Sequence, residues 1–572
     1  MRQKAKCTAN VAKGALMIIC GIKTSHDGAV AVIQDGRLLF STETEKINNG
    51  ARYSSLGDLR RVTDILAREG LSPDDVDQFV IDGWYTTGAD GTRAVTLRNG
   101  DSSAELSVAP YVESPGDEGP LQRHSFDGRN FIGGIGYASF NHVTNHVLGA
   151  YCSSPFAADG EDALALVWDG GIVPRLYLVR ATAREVTLVS VLLPITGNSF
   201  ADFCAQFSPY SADLTGLTPD QVNRHHLSIA GKAMAYSALG KAESNIFPIL
   251  DELIAEFPSV DTENAKALGA KVASNRDQLM PGMSDGDIIA TFQDYLGLRL
   301  LERLTAVVER RFPGQRMNLV LGGGCALNIK WNTLIRASGL FRDVFAPPFP
   351  NDAGAAIGTA LCESFHRGNL ALEWDVYSGP ALVAAPVPDG WQARPCDERQ
   401  VAYLLHTEGE PVVVLSGRAE LGPRALGNRS ILAPATDPDM KARLNKIKNR
   451  ADYRPVAPIC LESRAPEVFT PGTPDPYMLF EHRMRPGWAE RLPAVVHLDG
   501  TARLQTIGDD IHTAAARILA AYAEISGVPV LCNTSANLEG CGFFPDVASA
   551  ARWGGTRYIW SQGVLYTNPA AI

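Results

Sequence analysis

The chain of 572 residues is too long for a single hydrophobic core, so two or more domains are expected. Its 45% apolar and 20% charged content argues against a disordered or fibrous protein, and its net charge of −11 against a general nucleic-acid binder. Ten scattered cysteines, none in a Cys-x-x-Cys pair, argue against a secreted scaffold or zinc ribbon and favour reduced thiols in a cytoplasm.

In chain order, a short basic tail precedes the apolar run Ala15–Ile22, which lacks a small-x-small cleavage site and leads straight into a strand pattern. It reads as a first β-strand. No segment approaches the roughly 20 apolar residues that span a bilayer, so no membrane partner is expected. "LMIICGIKTSHDGAVAVIQDGRLLFSTETEK" predicts strand, Asp-Gly turn, strand, turn, strand. "DALALVWDGGIVPRLYLVRATAREVTLVSV" repeats that plan about 140 residues later. Two such units suggest a duplicated actin-like architecture, with the two turns facing nucleotide phosphates from opposite sides. Two unrelated hairpins are the alternative, because Asp-Gly is a common turn pair.

Between 85 and 133 the chain turns polar and rich in Gly, Ser, Asp and Pro, which predicts an insertion or lid. "MNLVLGGGCALNIKWNTLI" predicts a strand, a glycine turn and a helix, without the Lys-Ser/Thr ending of a Walker loop. "FAPPFPNDAGAAIGTAL" places Asp352 in a turn that opens another helix. Four prolines between Pro380 and Pro395 read as a linker. A new strand-rich unit then begins with "PVVVLSGRAELGPRALGNRSILAP". The fold class is therefore α/β, with domains expected at 1–385 and 396–572.

In "FNHVTNHVLGA", His142 and His146 stand one helical turn apart and can supply two metal ligands. Asp352 is the candidate third. Two histidines and a carboxylate suit Fe best, with Mn or Zn as alternatives; two helix histidines bonded to backbone or solvent remain the plainer reading. Cations gather later: Arg418, Arg424 and Arg429, then Lys448 and Arg454, then Arg503, with Asn533 and Ser535 after another apolar strand. As a set they point to a small, strongly anionic ligand. His26 lies beside the first Asp-Gly turn, where it can take a proton from a hydroxyl or simply bond the turn. Lys232, in "HHLSIAGKAMAYSALGK", can meet phosphate or cap a helix.

"HDGAV", the HxxxH pair, "WDGG", "GKAMA", "GGGCALN", "NDAG", "GPRALGNRS", "RPVAP" and "CNTSAN" together resemble the O-carbamoyltransferases of antibiotic biosynthesis and their nodulation-type relatives, over Ile18 to Tyr566. The resemblance implies an actin-like (ASKHA) N-terminal domain similar to tRNA threonylcarbamoyl transferases, followed by an α/β YrdC-like domain. It implies that the second domain makes carbamoyl adenylate from carbamoyl phosphate and Mg-bound ATP. The first, with iron, then passes the carbamoyl group to a hydroxyl of a small natural product. By the same resemblance His142, His146 and Asp352 become iron ligands and His26 the base or hydroxyl-orienting group. Asp169, Gly170, Gly171, Lys232, Gly323, Gly324 and Asn328 would contact the adenylate. Arg418, Arg424, Lys448, Arg454, Arg503, Asn533 and Ser535 would hold carbamoyl phosphate and ATP. Two departures stand out: Asn141 replaces the first histidine of a common His-His-x-x-x-His form, and Tyr236 replaces a Gly or Leu near Lys232. The leading alternative is an actin-like ATPase or small-molecule kinase with a regulatory C-terminal domain.

Overall fold

The computed structural model describes residues 17–85, 93–114, 118–386, 389–510 and 512–568. The basic tail and parts of the polar insertion lie outside the described residues.

Both predicted triple-strand units form, and they form alike. Ile18–Lys23, Ala29–Gln34 and Arg37–Glu43 make an antiparallel meander, and Gln78–Asp82 and Tyr137–Phe140 extend it in parallel beyond the first strand. Ala163–Val167, Arg175–Arg180 and Glu185–Val191 repeat the meander, extended in parallel by Asn318–Gly322 and Val344–Phe345. In each half the meander lies at one side of the sheet and the parallel strands at the other, in the order third, second, first, fourth, fifth. That shared order and polarity is the actin-like duplication.

The core strands are continuous apolar runs because both faces are covered. Ala29–Ile33 and Ala163–Val167 are buried throughout. Between the two sheets run the helices His142–Cys152 and Ala355–His366, both almost wholly buried. They cross closely: a Cβ on Gly358 would lie 2.2 Å from the Asn145 carbonyl oxygen. Only glycine permits that approach.

The polar insertion is an elaboration of the first half. Its hairpin, Ala94–Asn99 with Ser102–Ser107, buries Val95, Leu97, Ala104 and Leu106 with Phe79 and Phe131, and His124–Phe126 adds an edge strand to the first sheet. The second half carries a large helical insertion that includes Pro219–Tyr236 and the 27-residue Asp285–Arg311. The periodic reading of the strands gave no sign of it.

The C-terminal region is a mixed eight-stranded sheet. Helices Glu398–Glu408 and Ala514–Ser526 pack together beside it, capped by Asp397 and Thr513 and stopped by left-handed Gly409 and Gly527. Gln392–Pro395, expected within a linker, pairs with Val564–Thr567 as the edge strand of this sheet. A proline at a strand end on a sheet edge forfeits no ladder bond, so the proline signal was compatible with both. Nine described cysteines carry free thiols, and no helix among the described residues is long and apolar enough to cross a membrane.

Candidate functional site

The strand Tyr137–Phe140 ends at Asn141, and the helix that follows begins on His142. Both imidazoles point to one place. His142 Nε2 and His146 Nε2 are 3.1 Å apart, and Asp352 Oδ1 lies 3.4 Å and 3.3 Å from them. Asp169 Oδ2 completes the group at 3.8 Å and 3.9 Å. All four side chains are buried, and their ligand atoms lie within 4.8 Å of one another. Asp352 arrives because it sits one turn before the helix Ala355–His366, which Gly358 seats against the histidine helix.

The outer bonds fix the tautomers. His146 Nδ1 donates to the Pro350 carbonyl oxygen at 3.1 Å, and His142 Nδ1 donates to the Asp82 carboxylate at 2.9 Å. When neutral, both rings therefore turn Nε2 lone pairs toward each other, with two carboxylates beside them. That nitrogen–oxygen donor set fits a first-row metal ion, which His142, His146, Asp169 and Asp352 could hold. Burial opposes charge on His142, but Asp82 and then Asp352 outweigh it and hold its pKa well above the usual histidine value. For Asp352, burial is likewise outweighed by Lys23, His142 and His26, which hold it well below the carboxylate range.

Lys23 anchors this shell from behind. Its ammonium, fully buried, meets Asp82 at 2.7 Å and Asp352 at 2.8 Å and lies 4.0 Å from the Trp84 ring centre. Tyr111 stacks on His142 at 4.5 Å, and its hydroxyl donates to Asp169 at 3.2 Å. Tyr85 stacks on Tyr111 in turn at 3.7 Å. His26, a quarter exposed, has Nδ1 3.0 Å from Asp27 and 3.6 Å from Asp352.

A second centre lies where the helix Pro219–Tyr236 covers the C-terminal region. A cavity is lined there by Arg424, Arg450, Arg454 and Arg503, together with Lys330, Glu481 and Asp499. The two carboxylates are taken by Lys330, at 2.9 Å and 2.7 Å. Among the described residues none of the four guanidinium groups has a carboxylate within ion-pair distance, and Arg424 Nε and Arg503 Nε are buried without a hydrogen-bond partner. Burial first, and then its neighbours Arg503, Arg52 and Arg454, push Arg424 well below the usual arginine value. Burial and then Arg454 lower Arg450 to about 9. Cations crowded in this way are chemically suited to a polyanion.

Comparison with known proteins assigns the chain. The family described as Carbamoyltransferase N-terminus matches residues 18–119 and 135–361, and Carbamoyltransferase C-terminus matches 403–557. Nodulation protein U of Sinorhizobium fredii is 45% identical, over 97% of this chain and 100% of that protein. The chain belongs to the carbamoyltransferase family. The 3'-hydroxymethylcephem-O-carbamoyltransferase of Streptomyces clavuligerus is 32% identical, over 94% of this chain and 96% of that protein. Among solved structures, the activator of the 2-hydroxyisocaproyl-CoA dehydratase from Clostridium difficile aligns with a TM-score of 0.32 and 15% identity, over 62% of this chain and 96% of that chain. Full-length HypF aligns with a TM-score of 0.32 and 11% identity, over 62% of this chain and 56% of that chain. At that level the likeness adds nothing to the strand order. The protein is an enzyme that transfers carbamoyl groups, and the kinase alternative gives way to the family match.

Within this carbamoyltransferase the expected residues divide. His142, His146 and Asp352 converge, and Asp169, expected against an adenylate, joins them in the same donor group. Gly324 N spends its proton on Asp169 Oδ1, while Gly323 packs on Trp168 and Asp169. Gly170 lies against Asn198 and Gly171 under the Tyr85 hydroxyl. Asn328 is a helix cap, accepting from Lys330 N and Trp331 N. Arg424, Arg454 and Arg503 meet in the cavity. Lys232 sits on the covering helix, where burial and then Arg454 lower its pKa.

Four expected anion ligands are placed otherwise. Arg418 is not among the residues lining the cavity and forms two bonds to Glu69, which outcompetes water for a half-buried guanidinium. Asn533 is held inside the sheet by Ala425 O and Gln505. Lys448 donates to Ser535 O and to both oxygens of Asn537, and Ser535 Oγ donates to Asn537 Oδ1. Those bonds tie the Ser535–Asn537 turn to Lys448. Sequence reasoning missed Lys23, Asp82, Tyr111 and Arg450. A signal for the first two existed: each is a charge at the C-terminal end of an apolar strand, in "IICGIK" and "QFVID", where α/β sheets place their ligands.

Proposed function

We propose that this enzyme is an ATP-dependent O-carbamoyltransferase in which residues 396–572, a YrdC-like unit, form carbamoyl adenylate and residues 1–385 pass its carbamoyl group to a hydroxyl of a small natural product. The reading rests on one observation. Two buried sites each gather groups suited to a charged ligand: two facing imidazoles with two carboxylates, and four guanidinium groups that have no carboxylate partner among the described residues.

In the arginine cavity, carbamoyl phosphate is split by water to phosphate and carbamate. A carbamate oxygen then attacks the α-phosphorus of Mg-bound ATP, and the bond to pyrophosphate breaks. Arg424, Arg450, Arg454 and Arg503 take up the negative charge of the phosphoryl oxygens. In the N-terminal site, His142, His146, Asp169 and Asp352 would hold iron, with Mn or Zn as alternatives. The bound ion supplies a Lewis acid and a template for the adenylate. His26, steadied by Asp27, takes the proton of the acceptor hydroxyl while the acceptor oxygen attacks the carbamoyl carbon and AMP leaves. Trp84, Tyr85 and Tyr111 form an aromatic wall that excludes water beside His142. The named cephem relative acts on a hydroxymethyl group, which supports a small hydroxylated acceptor here. The free thiols of the nine described cysteines agree with a cytoplasmic enzyme.

The test is product analysis. The enzyme is incubated with carbamoyl phosphate, ATP, Mg and a panel of hydroxylated acceptors, including aminoglycosides, macrolide sugars, ansamycins and hydroxymethylcephems. AMP, pyrophosphate and an acceptor heavier by one carbamoyl group support the reading. ADP with a phosphorylated acceptor contradicts it.

A further inference from the structure

The loop that carries Arg424 is gripped by the other half of the molecule. Lys46 lies just beyond the strand Arg37–Glu43 and is 3% exposed. Its ammonium uses all three protons: on Glu43 Oε1 at 2.6 Å, on the Glu420 carbonyl at 2.7 Å and on the Gly422 carbonyl at 2.6 Å. Glu43 Oε1 also accepts from Gly422 N at 3.0 Å. One buried ion pair thus binds both the N–H and the C=O of Gly422, two residues before Arg424.

The same loop is braced twice more. Glu420 Oε1 accepts from Leu426 N, Asn428 N and Arg429 N, closing the turn around Arg424 from within. Leu421 is buried in the core of the actin-like half with Phe349 and Ile357. Gly422 has φ of +77°, and a Cβ there would lie 2.1 Å from the Pro348 carbonyl oxygen, in the segment that leads to Asp352. Lys46 in turn stands two residues after Thr44, whose N–H donates to Gly28 O in the turn of His26.

We propose that Lys46, held by Glu43, is a positioning residue for anion binding: it fixes Arg424 in the arginine cavity from the actin-like half. The inference rests on the anion-binding reading of that cavity but not on which anion is carried. A buried ammonium with three ideal acceptors defines one loop geometry, whereas a mobile loop would have to be ordered at the cost of binding.

The experiment uses inorganic pyrophosphate as the probe, titrated by calorimetry into the full-length enzyme. Arg424→Ala defines the loss due to the guanidinium itself. The double variant Glu43→Gln/Lys46→Met leaves no orphaned charge, and is expected to bind pyrophosphate at least tenfold more weakly while its metal content stays that of the wild type. Lys46→Arg restores a cation and is expected to recover part of the affinity. Should the double variant fail to fold, Glu420→Gln serves in its place, with a loss of about fivefold expected from the weakened N–H bonds. Unchanged affinity in a folded Lys46 or Glu420 variant, with Arg424→Ala impaired, overturns the positioning role. Unchanged affinity in Arg424→Ala overturns the anion site beneath it. Loss of metal in parallel with pyrophosphate binding also overturns the proposal, since that marks general structural damage.

Discussion

His142 and His146 meet through Nε2 because each Nδ1 is already engaged, by Asp82 and by Pro350 O. Replacing either by Ala should strip the ion and stop transfer, with adenylate formation better preserved; metal analysis of the purified variants checks the first part. Lys23 is a different test. Lys23→Met leaves Asp82 and Asp352 buried without their shared cation, and loss of one partner of a buried pair costs about 3–5 kcal/mol. Urea unfolding in the presence of chelator should show most of that loss, and Lys23→Met/Asp82→Asn a smaller one. His497 gives a pH signature. Burial, aided by Arg503, Lys330 and Lys441 and opposed by Asp499, lowers its pKa to about 3. The unfolded chain then takes up a proton between pH 6.5 and 3 that the native imidazole refuses, so stability falls as pH falls through that window. The drop in thermal midpoint from pH 7 to pH 5 should shrink in His497→Asn.

Helices and turns decide how these side chains meet. The helix His142–Cys152 and the helix Ala355–His366 share the contact at Gly358, so the spacing between the histidines and Asp352 is set by a residue that touches no ligand. Gly358→Val should push the helices apart and lower metal affinity at least tenfold, read by competition with a metal-sensitive dye, while pyrophosphate binding is retained. Much at this scale was legible. The i, i+4 pair, the Asp-Gly turns and the "NDAG" turn each follow from local spacing and turn chemistry, and Asp352 reached the histidines as expected. Asp82 and Lys23 were not legible as a pair, because strand pairing across 59 residues brings them together. Arg418 was not legible for a similar reason: Arg424, in the same loop, lines the cavity, but the partner of Arg418, Glu69, belongs to the other half. The linker reading of Pro380–Pro395 overlooked that an edge strand tolerates proline.

At the scale of the whole molecule, two sites of opposite character are built in one chain. In the proposed function carboxylates and imidazoles would gather a cation between the actin-like sheets, and arginines an anion beneath the helix Pro219–Tyr236. The duplicated strand order was legible because each strand reads locally; the helical insertion that roofs the cavity was not, since its register depends on what it covers. The two-site account assigns making and using the activated carbamoyl group to different residues. The most direct measurement supplies Arg454→Ala with carbamoyl phosphate and ATP, and separately with carbamoyl adenylate, in the presence of an accepted hydroxyl compound. The account predicts at least hundredfold loss of carbamoylated product from the first mixture and near wild-type yield from the second. Equal loss from both would contradict it.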